Sequence, residues 1–280
     1  MAGPDKTLPA CDVIAQMPEI RFRSPDSVTS NALLTRTGIF DMNVIHAAIR
    51  SYALPLLRFH RLRLSILFIG VFIPLYLFGE LADEVIEQEI FPFDRPVLLF
   101  MRSHATPFLD SAMLLASRIG SAFFLAPIDI LIFLILAYRR FWGKAMFWSL
   151  AVGGAALLNV AAKHLFVRTR PELWISIAPE TTYSFPSGHA MQSMAFVTAL
   201  VVLGWRHRWI WWGAAAGGLF VLLVGMSRIY LGVHFPSDIM AGWSASLAWV
   251  LGLSVVLHAH LYQPGGARRG AGNFASEREK

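Results

Sequence analysis

The sequence contains little charge and almost no cysteine. Aspartate, glutamate, lysine and arginine make up 15% of the 280 residues, whereas an average soluble domain contains about a quarter. Hydrophobic residues make up 56% of the chain, and the mean hydropathy is +0.54. The single cysteine, Cys11, excludes an intrachain disulfide and a cysteine-based metal site. The composition therefore excludes an ordinary water-soluble enzyme and predicts a single-domain integral membrane protein.

The charged residues that are present are mainly basic, with a formal net charge of +6. An excess of this sign favours nucleic-acid binding when it is clustered on one surface. Here the basic residues lie mainly at the ends of apolar segments, which is the pattern of membrane topology. We therefore expect the bilayer to be the partner of these charges, and we expect no nucleic-acid partner.

Apolar segments predict an all-α bundle of six membrane-spanning helices. These segments are Leu64–Gly79, Ile119–Tyr138, Ala145–Leu165, Ala190–Trp205, Ile210–Met226 and Ile239–Leu257. Several are shorter than the ~20 residues that cross a bilayer, so we expect the helices to extend into the flanking residues. The fifth segment contains four glycines between residues 213 and 225. Small residues permit close helix contact, which favours a central position for this helix.

Other parts of the chain are expected to lie outside the spans. Residues 85–118 are too short and too charged to cross the membrane. We interpret them as one or two amphipathic helices at the outer interface, or as a connector packed on the end of the bundle. Residues 1–60 are predicted to form a cytoplasmic tail, in which Asp41 to Arg63 is either an interfacial helix or a basic anchor. A six-span domain then covers residues 61–260, and residues 261–280 form a second cytoplasmic tail.

The distribution of basic residues predicts the orientation in the membrane. Arginine and lysine are concentrated before the first span, between the second and third, between the fourth and fifth, and after the sixth. The opposite loops include an acidic one after the first span, with Glu80, Asp83, Glu84 and Glu87. The positive-inside rule therefore places both termini in the cytoplasm. The other ends of the spans then face outward, into the periplasm if the membrane is a bacterial inner membrane.

One candidate for nucleophilic chemistry lies at an outward end. His234 stands four residues before Asp238, at the foot of the sixth span. A carboxylate at this spacing holds an imidazole in one tautomer and leaves its other nitrogen free to attack. Taken alone, the pair also fits helix capping and packing, which is the commoner arrangement.

Candidate anion-binding residues lie at the same ends. Lys163, Arg170 and Arg228 are three cations that would surround the equatorial oxygens of a phosphoryl group and neutralise their charge. The alternative for Lys163 and Arg170 is an anchoring contact with lipid headgroups. Ser187 and Gly188 precede the fourth span, where unpaired N–H groups and the helix dipole favour an anion. This set predicts phosphoryl transfer that needs neither a metal nor another cofactor.

These residues fall into three motifs. They are Lys163-x6-Arg170-Pro171, Pro186-Ser187-Gly188-His189 and Ser227-Arg228-x5-His234-x3-Asp238. The pattern resembles the three-part signature of the type-2 phosphatidic acid phosphatase superfamily, which also includes soluble vanadium-dependent haloperoxidases. The resemblance covers roughly residues 60–260. The three-part match is specific, whereas any one part alone is weak.

The resemblance implies a mechanism and a class of substrate. His234 attacks phosphorus to form a phosphohistidine, Asp238 orients it, and His189 protonates the leaving oxygen and later takes a proton from water. The implied enzyme is an integral membrane lipid phosphatase for undecaprenyl diphosphate, phosphatidylglycerophosphate or phosphatidate. Lipid A phosphatase activity and phosphoryl transfer to a second lipid are alternatives within the same superfamily. The haloperoxidase alternative is excluded, because spans this apolar would not stay in water.

Two charged residues lie outside the signature. We expect Arg168 to help bind a lipid headgroup, such as the second phosphate of a diphosphate. Asp129 falls near the middle of the second span, where a carboxylate is costly, so we expect it to be protonated or paired inside the bundle. An anion transporter, which is the non-enzymatic alternative, would space charges through the membrane. In this sequence the cations cluster at one face, which favours an enzyme.

Overall fold

The computed structural model describes residue 65 and residues 68–89 and 91–257. The tails predicted at residues 1–60 and 261–280 lie outside the described residues, and so does Cys11. The alternatives of an interfacial helix or a basic anchor between Asp41 and Arg63 also fall outside them.

All regular structure in this described region is helical. Helix α1 spans Ile73–Ile86 and continues a π-helical turn at Phe68–Phe72. The other helices are α2 (Asp94–Ser103), α3 (Pro107–Ile119), α4 (Ala122–Tyr138), α5 (Trp142–Phe166), α6 (Gly188–Gly204), α7 (Ile210–Tyr230) and α8 (Pro236–Val256). Each of the six predicted apolar segments coincides with one helix, either α1 or one of α4 to α8. The predicted all-α class is confirmed.

Local sequence accounts for the helix ends that carry the motif residues. Helix α6 begins after Ser187, whose hydroxyl accepts a hydrogen bond from Ala190 N at 3.5 Å as an N-cap. Helix α8 begins at Pro236, whose fixed φ suits the first helical turn. Helix α5 ends where Val167 adopts a left-handed conformation with φ of 50°, which is uncommon for a β-branched residue. This turn directs the chain out of α5 and into the loop of residues 167–187.

Length and composition suit four segments of the described chain to crossing a membrane, fewer than the six spans predicted. Among the described residues, the segments that are long and apolar enough are Pro107–Tyr138, which joins α3 and α4, and helices α5, α7 and α8. Helix α6 is apolar but shorter, with 17 residues. Helix α1 runs past the predicted end at Gly79 and carries Glu80, Asp83 and Glu84 in its second half. Its second half is therefore polar, whereas the residues before Gly79 are apolar.

Helices α5, α6 and α8 form the centre of the bundle. Helix α6 packs against α5, α7 and α8, and α8 also contacts α1 and α5. Small side chains allow these contacts, because Ala151, Ala155, Ala195 and Ala199 are fully buried beside Trp148. The prediction that the glycine-rich helix α7 is central is only partly right. Helix α7 does pack closely on α6, but its other neighbours include the two short helices α2 and α3.

Helices α2 and α3 account for residues 85–118. Helix α2 packs against α7 and α8, and α3 packs against α7 and α4. Leu98 of α2 is fully buried in a cluster with Ile229 of α7 and Ile239 of α8. The prediction of one or two short helices here is confirmed as two, and both pack on the end of the bundle.

Asp129 lies inside α4 and is buried. Gln192 of α6 donates a hydrogen bond to its Oδ2 at 3.2 Å, and Trp148 of α5 donates to its backbone oxygen at 3.0 Å. The other carboxylate oxygen, Oδ1, has no hydrogen-bond partner among the residues that the structure describes. Asp129 is thus paired inside the bundle, as expected, and it connects α4 with α5 and α6.

The contact between α7 and α8 predicts a stability difference between two glycines of α7. A β-carbon at Gly225 would overlap the Trp243 ring and lie 2.8 Å from Ile239, whereas nothing lies within 4 Å of a β-carbon at Gly213. We expect Gly225→Ala to lower stability by about 1–3 kcal/mol, and Gly213→Ala to leave it unchanged or raise it slightly. Thermal unfolding of both variants in detergent measures the difference. Equal melting temperatures would show that α7 and α8 do not approach this closely.

Candidate active site

The three motif segments meet at one end of the bundle. Lys163 lies in the last turn of α5, and Arg228 lies in the last turn of α7. Residues 187–189 form the start of α6. His234 directly precedes α8, and Asp238 lies in the first turn of that helix. Because α5 and α7 run toward this end and α6 and α8 run away from it, helix termini bring the predicted site residues together.

His234 and Asp238 form a fully buried pair. His234 Nδ1 lies 3.3 Å from Asp238 Oδ2. The same oxygen accepts a hydrogen bond from Ser184 Oγ and one from Phe235 N at 2.9 Å. The other ring nitrogen, Nε2, lies 3.1 Å from Arg170 Nη1. A guanidinium only donates, so we assign the lone pair to Nε2 and the proton to Nδ1. Asp238 therefore caps α8 and also holds His234 in the tautomer with a free Nε2.

Burial controls the protonation of this site. Removal from water is the largest effect on His234 and outweighs the neighbouring Asp238, so the pKa of His234 is lowered to about 4. Burial also opposes the ionisation of Glu180 in the loop, but nearby positive charges, above all Arg228, lower the pKa of Glu180 to about 2. At neutral pH the site therefore contains a neutral imidazole and an ionised carboxylate.

The three predicted cations converge on Glu180 and Thr182. Arg228 Nη2 donates to Glu180 Oε1, and Arg170 Nη2 donates to Glu180 Oε2 at 2.7 Å. Lys163 Nζ donates to Thr182 Oγ1 at 2.8 Å. Arg170 Nη2 lies 3.0 Å from that same hydroxyl oxygen. The cations thus surround one small region, and a carboxylate occupies it.

Arg228 is held from two sides. Its Nη1 donates to Ser117 Oγ of α3 at 2.5 Å, opposite the contact with Glu180. Its Nε has no hydrogen-bond partner within the described part of the chain, and the residue is only 2% exposed. Helix α3 therefore supports the anion site, a role for Ser117 that no sequence motif indicated.

Glu180 is the acidic residue among the predicted cations that the sequence analysis missed. It lies in the irregular loop of residues 167–187, between the first two motifs, and no spacing relates it to them. The only available signal was the balance of charge. Cations that are withdrawn from water need a counter-charge, and this loop contains two acidic residues, Glu172 and Glu180.

The start of α6 lies against both the His234–Asp238 pair and α5. Ser187 is fully buried, and its backbone N–H donates to the backbone oxygen of Asp238 at 3.1 Å. A β-carbon at Gly188 would lie 3.0 Å from Asn159 Oδ1 of α5. A close approach between α5 and α6 is therefore one reason for glycine at this position. The phosphate contacts expected for Ser187 and Gly188 stay predictions.

His189 lies on the more open side of the cluster. Its Nδ1 is 3.9 Å from Glu180 Oε1, which is beyond hydrogen-bond distance. Its side chain is 19% exposed, whereas that of His234 is 1% exposed. The two histidines thus differ in access to water, and the more exposed one is better placed to exchange protons.

Arg168 has partners other than the expected headgroup. Its guanidinium donates to Asp238 Oδ1 at 2.5 Å and to Asp94 Oδ2 at 2.9 Å. The same group lies 4.4 Å from the centroid of the Phe235 ring. Its contact with a headgroup stays a prediction, while in the structure it joins two carboxylates.

A cavity of about 500 Å³ lies next to this cluster. It is bounded by the end of α1, the start of α2 and the first residues of the loop after α5. Its lining combines apolar, basic and acidic side chains, among them Phe166, Phe235, Arg95, Arg168, Arg170, Glu89 and Glu172. The volume is typical of small-molecule sites, so a polar group of moderate size fits beside Arg170.

Comparison with known proteins agrees with this geometry. The sequence profile of the PAP2 superfamily matches residues 142–262, which include all three motifs. Phosphatidylglycerophosphatase B of Bacillus subtilis is 31% identical over 150 residues, which cover 50% of this chain and 71% of that protein. Undecaprenyl-diphosphatase of Sulfolobus acidocaldarius is 29% identical over 156 residues, which cover 54% of this chain and 71% of that protein.

A solved structure shows the same similarity at the level of the fold. The crystal structure of the transmembrane PAP2-type phosphatidylglycerolphosphate phosphatase of Bacillus subtilis superposes with a TM-score of 0.58 at 26% identity. The aligned region covers 69% of this chain and 98% of that chain. Together with the apolar helices and the assembled motifs, these similarities show that the chain belongs to the PAP2 superfamily and is a multi-pass membrane lipid phosphatase.

Proposed function

We propose that the protein removes the terminal phosphate of a lipid phosphate or diphosphate through a phosphohistidine formed at His234. One observation carries this proposal. Nε2 of the buried His234 lies 3.1 Å from Arg170, and Arg170 and Arg228 together hold the carboxylate of Glu180. A phosphoryl group presents negative oxygens of the same kind as a carboxylate. A phosphate held in that position would lie beside the nucleophilic nitrogen.

Formation of the intermediate uses the two histidines and Asp238. Nε2 of His234 attacks phosphorus while the bond from phosphorus to the leaving oxygen breaks. His189, which takes up an extra proton when the anionic substrate binds beside it, gives that proton to the leaving oxygen. His234 becomes positively charged as the new N–P bond forms. Ionised Asp238 at Nδ1 stabilises that charge.

Breakdown of the intermediate reverses the proton transfer. His189, now neutral, takes a proton from a water molecule that attacks phosphorus, and the N–P bond breaks. The products are inorganic phosphate and neutral His234. The partial exposure of His189 gives that water access, whereas His234 is closed to it.

The three cations neutralise the charge of the phosphoryl group in both steps. Lys163, Arg170 and Arg228 stabilise the negative charge on the equatorial oxygens of the transferring group. Within residues 68–89 and 91–257, no three His, Cys, Asp or Glu side chains come together as a metal-binding cluster. In the proposed reaction, these side chains carry the chemistry.

Glu180 occupies the position that the phosphoryl group needs, so binding is an exchange of anions. The incoming phosphate takes over the hydrogen bonds from Arg170 and Arg228, and the carboxylate moves toward water with the loop that carries it. A dianionic phosphate gains more from two guanidinium groups than a single carboxylate does. The exchange keeps the buried arginines paired both before and after substrate binding.

The substrate class that we propose is a lipid diphosphate or a phospholipid monophosphate. The names of the relatives specify undecaprenyl diphosphate and phosphatidylglycerophosphate as substrates of those proteins. In this chain, Arg95 lines the cavity next to Arg170, together with Glu89 and Glu172, and offers positive charge for a second phosphate. This arrangement favours a diphosphate such as undecaprenyl diphosphate.

We further propose that the site faces the periplasm of a bacterial inner membrane. Arg139, Arg140 and Lys144 lie at the start of α5, and Lys163 lies near its end. The 25 residues of α5 span roughly 37 Å at 1.5 Å per residue, enough to cross the bilayer. The positive-inside rule puts the arginine-rich end in the cytoplasm, so the site lies outside.

The proposed mechanism predicts different defects for the two histidine variants. With EDTA present, we expect wild type to release phosphate from at least one of undecaprenyl diphosphate, phosphatidylglycerophosphate and phosphatidate. His234→Ala should lose all turnover, because the nucleophile is gone. His189→Ala should be severely impaired with lipids, yet still form labelled phosphoenzyme from an aryl phosphate, whose leaving group needs no proton. Acid-quenched labelled protein is the readout, and label retained by His234→Ala would refute the assignment of the nucleophile.

The exchange of anions predicts that Glu180→Gln strengthens the binding of phosphate analogues. Removing the carboxylate charge leaves Arg170 and Arg228 without an anionic competitor. We expect the inhibition constant for vanadate, which mimics five-coordinate phosphorus, to fall several-fold. Glu172→Gln in the same loop is the matched control and should leave that constant unchanged. Weaker vanadate inhibition in Glu180→Gln would show instead that Glu180 positions the cations for substrate.

The proposed orientation predicts the accessibility of two engineered cysteines. In a Cys11→Ser background, Glu87→Cys at the end of α1 should react with a membrane-impermeant thiol reagent added outside spheroplasts. Arg140→Cys, between α4 and α5, should react only after the membrane is permeabilised. Both positions are exposed in the structure, so access is decided by the side of the membrane. The reverse pattern would place the site in the cytoplasm.

A further inference from the structure

A second polar cluster lies behind the nucleophile, and the mechanism above does not use it. Asp94 of α2 accepts hydrogen bonds from Ser237 N at 2.9 Å and from Ser237 Oγ at 2.6 Å. Arg168 then bridges two carboxylates, with 2.9 Å from its Nη2 to Asp94 Oδ2 and 2.5 Å from its Nη1 to Asp238 Oδ1. Asp94, Ser237 and Asp238 are fully buried. A continuous chain of charge-assisted hydrogen bonds therefore runs from α2 to the partner of His234.

The two oxygens of Asp238 have separate partners. Oδ2 faces His234 Nδ1, whereas Oδ1 is held by Arg168. Rotation of the carboxylate away from His234 would break the contact with Arg168. Arg168 cannot follow such a rotation freely, because its guanidinium packs against the rings of Phe91 and Phe235, at 5.6 and 4.4 Å from their centroids.

The positive charge of Arg168 also separates two buried carboxylates. Burial raises the pKa of Asp94, and the hydrogen bonds from Ser237 and the charge of Arg168 oppose that rise. Without Arg168, the carboxylates of Asp94 and Asp238 would both lie near Ser237, and no cation would lie between them. Like charges that close to each other favour protonation of one carboxyl group. A protonated Asp238 would no longer stabilise the charge that His234 acquires.

We propose that Asp94 and Arg168 are positioning residues that hold Asp238 so that it orients His234. Neither contacts the phosphoryl group, and both act through Asp238. The inference rests on the proposed role of His234 as the nucleophile. It gives helix α2 a part in the reaction, although α2 contains none of the three motifs.

A purely structural tie between α2 and α8 is the competing explanation. Such a tie needs no charge, because buried ion pairs are often replaced by apolar residues without loss of stability. Leu98 already anchors α2 on α7 and α8. The two explanations differ in one measurable respect, since a tie affects the amount of folded protein, whereas positioning affects the turnover of the folded enzyme.

The test measures kcat and KM for phosphate release by the full-length protein in detergent. Asp94→Asn should lower kcat about 10- to 100-fold, the range expected when a reacting group is slightly misplaced, and change KM less than about threefold. Asp110→Asn is the matched control. Asp110 lies on the neighbouring helix α3 and accepts a hydrogen bond from Tyr230 at 2.7 Å, outside the cluster. Both variants should lower thermal stability, and only Asp94→Asn should lower kcat.

Conservative substitutions of Arg168 extend the test. Arg168→Lys keeps a positive charge between the carboxylates but loses the planar fork that bridges them, so its kcat should lie between those of wild type and Arg168→Gln. The hydroxyl of Ser237 donates to Asp94 and accepts from Arg168. Ser237→Ala removes this hydroxyl without changing the charge and should lower kcat less than Asp94→Asn does. This variant serves as the measurement if Asp94→Asn does not fold.

Three outcomes would overturn the inference. If Asp94→Asn folds and keeps the wild-type kcat, the cluster is only a structural tie. If Asp94→Asn does not fold, a wild-type kcat in Ser237→Ala leads to the same conclusion. A rise of KM for diphosphates alone in Arg168→Gln, with kcat unchanged, would make Arg168 a headgroup contact instead. A wild-type protein that releases no phosphate would overturn the proposed function and this inference together, which distinguishes that failure from the other two.

Discussion

Charges withdrawn from water must stay paired, and the active-site end of this bundle is built around that requirement. An unpaired ion costs several kcal/mol in such surroundings, even after relaxation. Arg228 is 2% exposed and Asp238 is fully buried, yet both have partners of opposite charge. Glu180 lies between Arg228 and Arg170, and Arg168 lies between Asp94 and Asp238. One cluster joins Arg170 and Arg228 through Glu180, and the other holds Asp238, which contacts His234.

The two clusters meet at His234, which is why burial matters to the chemistry. One ring nitrogen faces Asp238 and the other faces Arg170. These neighbours decide the tautomer of His234, and burial away from bulk water keeps its imidazole neutral. His189 lacks these two neighbours, and its side chain is more exposed. The difference between a fixed His234 and a more accessible His189 thus follows from where two helices begin.

Helix direction explains how an apolar bundle can hold such a site. Lys163 and Arg228 lie in the last turns of α5 and α7, where cations interact favourably with the helix dipole. Ser187 and Asp238 lie at the first turns of α6 and α8, where polar side chains cap free N–H groups. The buried alanines of α5 and α6 bring the helix axes close. Packing in the middle of the bundle therefore sets the distances at its end.

The sequence by itself determined the all-α class, the six apolar helices and the set of motif residues at one end. These follow from hydrophobic length, from charge at segment ends and from local spacing such as that of His234 and Asp238, all of which act over a few turns. Only the tertiary structure decided which charges pair. Asp94 meets Ser237 across 143 positions of the chain, and Glu180 reaches Arg228 from an irregular loop. Arg168 lies two residues from Arg170 but points to Asp94 and Asp238. No local pattern encodes such contacts, because they arise only when the helices have packed and each buried charge has to find a partner within reach.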